Sequence, residues 1–259
     1  MDEVHAALRV THIAAGLVGL GAFWVPAFAR KGGRTHVVAG RVFLWCLYAV
    51  AATALTSATW AVVDPVSFVR LPASVAPDVV ARVSVRVGLF MGFLGMLAAI
   101  VLAGARLGQA ALRLKVDQTA MRRKELSVLY AVVGLWAGLV LWMGLSAGSV
   151  AYAGLGALGL GSVWEYWRIR RDPMPTPMAW WYHHMGAMLG SGIAFHTAVA
   201  VTTAGRLLGI PADSPAAIVP WVLPAAVGIP AIHLWTRSYR RRFQEAGRAM
   251  SRPRAATSS

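Results

Sequence analysis

Residues 179–204 read AWWYHHMGAMLGSGIAFHTAVAVTTA, and this stretch decides the class of protein. It contains no Asp, Glu, Lys or Arg. Its length is enough to cross a hydrocarbon core, which takes about 20 apolar residues in a helix. Yet it carries three of the chain's seven histidines, His183, His184 and His196. An imidazole is costly to keep in hydrocarbon unless it is paired, so histidines within a span mark a site for chemistry.

The rest of the composition agrees. Of 259 residues, 58% are hydrophobic and 14% charged, with mean hydropathy +0.59. A soluble domain carries about a quarter charged residues, so the chain has a membrane composition and no room for a large soluble domain. The expected organisation is one transmembrane helical domain over 1–242 and a disordered basic cytoplasmic tail over 243–259. Cys46 is the only cysteine. A disulfide framework, a Cys-x-x-Cys redox pair and c-type haem attachment are therefore excluded, and Cys46 is expected simply to pack. Ala27-Phe28-Ala29 looks like a signal-peptidase site, but Met1-Asp2-Glu3 is acidic where a signal peptide needs positive charge. The first apolar run is therefore read as a retained span.

Seven segments are long enough to cross: roughly 6–28, 37–63, 83–105, 126–146, 149–167, 179–204 and 216–236. The fourth and fifth are separated by a tight turn at Ser146-Ala147-Gly148-Ser149. The fold class is thus an all-α polytopic bundle of about seven spans. Basic residues alternate between the connections. Arg30, Lys31 and Arg34 follow the first span; Arg106, Arg113, Lys115, Arg122, Arg123 and Lys124 follow the third. Arg168, Arg170 and Arg171 follow the fifth, and seven arginines follow the seventh. Few lie opposite. The positive-inside rule then puts the N-terminus outside and the C-terminus in the cytoplasm, in a bacterial inner (plasma) membrane. This distribution also disposes of nucleic acid as the reason for a formal charge of +15.

Tryptophans near the span ends, such as Trp24, Trp60, Trp142, Trp164 and Trp221, read as interfacial belts. Gly88-x-x-x-Gly92, Gly134-x-x-x-Gly138 and Gly186-x-x-x-Gly190 are spacings that let helices approach, and an exposed glycine face would permit a homo-oligomer. The basic loop 105–125 is expected to continue the third span as a helix lying along the membrane surface.

With these spans, histidine depths follow from the helical rise of about 1.5 Å per residue. His12 lies about 9 Å and His196 about 12 Å below the outer ends of their spans, a level match across the bundle. At the inner side His36 stands at the mouth of the second span, with His183 and His184 about 6–8 Å in. Two imidazoles from different helices at one depth are what a six-coordinate b-type haem requires, each ring held by a bond from its other nitrogen. Arg9 and Arg86 outside, and Arg34 and Arg41 inside, are placed to pair with propionates. Gly16, Gly19 and Gly190 leave room for a macrocycle. The expected iron ligands are His12 and His196 in one layer, and His36 with His183 or His184 in the other. The arrangement resembles two-haem cytochromes of the b561 kind in architecture only. In those the two ligands on one helix share a face, whereas His184 and His183 are offset from His196 by about 120° and 140°.

Glu165 is the one acid clearly within a span; its expected partner is Arg168 or Arg41, and as a proton carrier it would suit a quinone or transport site. The stretch His12-Ile13-Ala14-Ala15-Gly16, followed by Lys31-Gly32-Gly33-Arg34-Thr35-His36 and Gly40-Arg41, resembles a family of uncharacterised bacterial multi-pass membrane proteins with an HI-x-x-G … KGG-x-x-H-x-x-x-GR signature. That resemblance implies about seven helices and singles out His12, His36 and Arg41. It implies no activity, and Val37 stands where a typical member has Arg.

The sequence therefore leaves three functions open. The first is transmembrane electron transfer through haem b, to a membrane redox partner or quinone. The second is transport of an ion or small molecule, and the third is a structural role in a membrane complex.

Overall fold

A computed structural model describes residues 2–209 and 215–243, and every regular element in them is helical. Helix α1 covers Asp2–Phe28, α2 Arg34–Val63, and a short α3 Pro65–Val69. Then come α4 over Pro77–Arg113, α5 over Lys124–Ser146, α6 over Val150–Arg171, α7 over Ala179–Leu207 and α8 over Val219–Arg242. Six of these are long and apolar enough to cross a membrane: α1, α2, α4, α5, α7 and α8. The protein is thus a multi-pass helical membrane protein by length and composition. The fifth expected span forms α6, a full 22 residues, but falls outside that set. Its glycines and its end, with Glu165, Arg168, Arg170 and Arg171, dilute the apolar run. Of the expected tail, residues 244–259 lie outside the described residues.

Helix α4 is the axle. It packs against α2, α5 and α7 and is the most buried of the six. Small residues allow this. A Cβ on Gly104 would meet the Ser191 hydroxyl, and one on Gly108 would meet the Met188 methyl, so both glycines draw α4 onto α7. In a bilayer such close backbone approach replaces the hydrophobic drive that water would supply. Here the structure corrects the expectation for 105–125. Ala105, Leu107, Gly108, Ala110 and Ala111 are buried in the bundle, not laid along its surface.

Of the glycine pairs expected to bring helices together, Gly88 and Gly92 face Met143 on α5. Gly138, Gly186 and Gly190 have open space where a side chain would be. The closest backbone contact joins α5 and α6. A Cβ on Gly144 would strike the Ala153 backbone, and one on Gly156 would stand 2.5 Å from Leu141 N. The turn between them is closed by Gly148 at φ +64°, a left-handed conformation that glycine adopts without steric cost.

The basic connections gather at one end of the bundle. Lys115 lies over the Trp180 ring at 3.9 Å, Lys31 over Trp235 at 5.9 Å and Arg240 over Tyr182 at 5.3 Å. In that end's α4–α5 loop, the Thr119 hydroxyl and N–H, followed by Arg123, hold the Asp117 carboxylate below its ordinary pKa. At the far end, Asp64 caps α3 through Ser67 N at 3.0 Å. His5 packs there on Trp60 and Phe68, with ring centroids 5.4 and 5.3 Å away. Trp221, in the first turn of α8, is half-buried and packs on Phe93 at 4.9 Å and Tyr152 at 5.3 Å.

Candidate functional site

Helices α1 and α7 cross where Gly192 accepts the Phe23 ring and Gly19 faces Phe195. Phe23, Phe43 and Phe195 pack through this crossing with their rings tilted or edge-on, at 5.3 and 6.4 Å between successive ring centroids. On either side of this aromatic partition the helices diverge and leave a cavity, about 370 Å³ at the basic end and about 230 Å³ at the far end. The larger falls within the size range of small-molecule sites, about 300–1,000 Å³.

The basic-end cavity is built from the α1–α2 connection upward. Where α1 ends, its last carbonyls lack helical partners. Lys31 turns back and donates to Pro26 O at 2.8 Å and Ala27 O at 2.5 Å. Gly32, at φ +76°, makes that return possible. His36, two residues into α2, donates from Nδ1 to the same Pro26 O at 3.1 Å. Across the cavity His184 donates from Nδ1 to Gly108 O at 2.8 Å, a contact that exists because Gly108 admits α7 so close to α4. An imidazole that donates from Nδ1 presents a lone pair at Nε2. Both rings line the cavity in that tautomer.

Lys31, Arg41 and Trp181 also line it, and among the described residues no Asp or Glu does. Among the described residues the indole N–H of Trp181 is buried without a partner, which a buried donor seldom is. The cavity thus combines an apolar body (Phe43, Leu44, Met188 and Leu189 among others) with unopposed donors and positive charge. Burial holds the Lys31 ammonium below the ordinary lysine pKa. Relative to the unfolded chain, Lys31 releases its proton at lower pH, so between the two pKa values the unfolded chain binds more protons and stability rises with pH. Anion binding has the opposite sense, because it needs the ammonium charged. Affinity for dodecyl sulfonate, whose own charge is constant, is expected to fall about fivefold as pH rises through the Lys31 titration. That factor corresponds to an ion pair of about 1 kcal/mol. In Lys31→Met the pH dependence should vanish, as followed by equilibrium binding in neutral detergent.

The expected histidine pairs fare differently. His12 bonds Thr53 Oγ1 at 2.9 Å in the far half. His196 instead turns toward the basic end, bonding Gly192 O at 2.7 Å and packing on Phe23 and Trp24 at 5.0 and 5.5 Å between ring centroids. Phe23 lies eleven residues along α1 from His12, about 16 Å of helix. His12 and His196 are therefore not brought together. His196 Nε2 is buried and unpartnered, but the two aromatic rings occupy its side of the helix. His36 and His184 do share a cavity. His183 does not line it and reaches Pro173 O at 3.0 Å, tying down the connection before α7.

Arg41 lines the cavity from an exposed position; Arg9, Arg34 and Arg86 are exposed and line neither cavity. Glu165 is exposed and paired with Arg168 at 2.5 Å, away from both cavities. Sequence reasoning missed Lys31, Trp181 and Gln109. Gln109 accepts from Tyr48 at 2.8 Å and from Arg106 at 3.0 Å. The signal for Lys31 was present, a lysine one turn beyond a helix end whose carbonyls need donors.

No protein-family model matches this chain, and neither does any curated protein or solved structure. Its function is read from its own residues.

Proposed function

We propose that the protein crosses a bacterial inner membrane seven times, N-terminus outside, and binds b-type haem in the basic-end cavity as a membrane electron carrier. Three features support the seventh crossing. Helix α6 returns along α5 through a tight turn, touches it backbone to backbone, and ends in the same basic layer as the other connections. With those connections in the cytoplasm, the cavity lies toward the cytoplasmic face.

One observation carries the haem reading. The cavity pairs two imidazoles, each tied at Nδ1 to a backbone carbonyl, with unopposed cations and an orphan indole N–H. Metal-ligating histidines are oriented in this way, by a bond from the second ring nitrogen. His36 and His184 would hold iron through Nε2, and Lys31, Arg41 and the Trp181 N–H would receive the propionates. Bound haem would supply a one-electron carrier near the cytoplasmic surface. The chain's own part is to fix both tautomers, neutralise two carboxylates and exclude water with Phe23, Phe43 and Leu189. The His12–His196 layer does not fit a second haem, so one haem per chain is expected.

The test is an optical spectrum of the detergent-purified protein, oxidised and then dithionite-reduced, with haem quantified as its pyridine adduct. A sharp reduced band of the b type, at one haem per chain, is the expected result. A protein that stays colourless after expression with added haem would sink the reading. Transport is the second reading, favoured by the two cavities in line across the aromatic partition. Its measure is uptake of dodecyl sulfonate into proteoliposomes against its Phe23→Trp variant.

A further inference from the structure

The far cavity is chemically the reverse of the basic-end one. Among the described residues it is apolar except for three side chains, His12, Thr202 and Thr203, and none of those lining it is charged. The proton positions follow from the geometry. Thr53 Oγ1 lies 2.8 Å from Ala49 O and 3.1 Å from Val50 O. A hydroxyl has one hydrogen, and were it turned toward His12, two bare oxygens would face each other at hydrogen-bond distance. The hydrogen is therefore committed to the helix backbone, as is usual for a threonine within a span.

Thr53 Oγ1 can then only accept from His12 Nδ1, 2.9 Å away. The proton of the neutral imidazole sits on Nδ1, and Nε2 is a bare acceptor. Thr202 and Thr203 repeat the pattern. Their hydroxyls donate to Ala198 O at 2.8 Å and Val199 O at 2.6 Å, leaving lone pairs outward. Among the described residues, each polar side chain on the cavity wall offers an acceptor and none offers a donor.

Access is from the side. Ile13 and Leu17 line this cavity and are also exposed on the outer surface of α1, at 52% and 69%. Helices α1 and α7 touch at the Phe23 crossing. On the α7 wall of the cavity Thr202 is exposed as well.

We propose that the far cavity is a lateral binding site for the hydroxyl head of a bilayer-soluble amphiphile, with His12 Nε2 accepting its hydrogen bond. A ligand with donors fits three acceptors; an anion or a bare carbonyl head does not. Phenolic lipids and glycerides share this hydroxyl chemistry, and the measurement separates them.

The experiment measures equilibrium binding of tritiated 5-pentadecylresorcinol, a redox-silent diol, to the full chain in detergent. It is compared with the dimethyl ether of the same compound, which keeps the ring and tail but has no donors. The diol is expected to bind at least tenfold tighter. In His12→Phe this ratio should fall severalfold, Thr202 and Thr203 remaining as acceptors, with the ether's affinity unchanged, which also shows that the variant is folded. Competition by dioleoylglycerol would assign the hydroxyl to a glyceride, and its absence to a phenol; both uphold the site. Equal binding of diol and ether would overturn it, since the cavity would then only take a tail. So would a ratio that is unchanged in His12→Phe. An independent check needs no variant: ¹⁵N NMR of His12 should show the Nδ1–H tautomer, and the Nε2–H tautomer would overturn the assignment. Neither outcome depends on whether haem occupies the other cavity.

Discussion

Gly156→Leu is expected to unfold the α5–α6 pair or lower the protein's stability by the upper part of the range seen for overpacked cores, about 1–3 kcal/mol. A Cβ at this position would lie 2.5 Å from Leu141 N, 2.7 Å from its Cα and 2.8 Å from its Cβ. Two of these atoms are backbone, so no rotamer change can make room and the helices must separate. The same separation would pull Gly144 away from Ala153, because the two glycines face each other's helix from opposite sides of one interface. Gly161→Ala is the matched control. It lies on the same helix with nothing within 4 Å of its would-be Cβ, and alanine favours helix over glycine by about 1 kcal/mol. It should leave thermal stability unchanged or raise it. Thermal unfolding in detergent, followed by tryptophan fluorescence, compares the two. Equal melting temperatures would mean that α6 does not pack on α5 as described.

That contrast marks how far the sequence could be read. Apolar runs and the alternation of basic connections give the helices and their order, because the bilayer constrains both directly. They do not give faces. Gly134, Gly138, Gly186 and Gly190 carry the spacing of a packing motif, yet open space stands at three of them. Gly104 and Gly108 carry the same spacing and hold α4 to α7. Spacing reports which residues share a helix face, and only the neighbours decide whether that face is covered. Gly144 and Gly156, the closest approaches to a neighbouring helix backbone, belong to no such pair on their own helices.

The histidines fail and succeed for a reason of direction. Side chains on a helix lean toward its N-terminus. Helices α1 and α7 run oppositely, so His12 leans to the far end and His196 to the basic end, as its bond to Gly192 O shows. Equal depth of the Cα atoms therefore becomes unequal depth of the rings. The ends were also no common reference plane, since α1 projects to pack His5 on Trp60 and Phe68. Helices α2 and α7 run the same way, so His36 and His184 both lean toward the basic end and meet in one cavity.

The same geometry sets the sharpest expectation for the site. On the proposed haem reading, His184→Ala should abolish the low-spin spectrum and lower haem affinity by more than the 10–100-fold typical when only the orienting partner of a metal ligand is lost. His184 sits between two constraints: Gly108 O fixes its Nδ1, and the cavity receives its Nε2. Removing the ring takes away the ligand. Gly108→Leu would keep the ring but drive α7 from α4 through the Met188 and Ala187 contacts, releasing Nδ1 and loosening the ligand. The two variants should thus differ in kind. In His184→Ala, added imidazole should restore a six-coordinate spectrum, because the cavity is intact and only a ligand is missing. In Gly108→Leu it should not, because the cavity itself has opened. His196→Ala and His183→Ala, whose rings bond Gly192 and Pro173 outside the cavity, should keep the wild-type spectrum. A low-spin haem that persists in His184→Ala and disappears in His196→Ala would relocate the site to the aromatic partition, and with it the meaning of the orphaned Nε2 there.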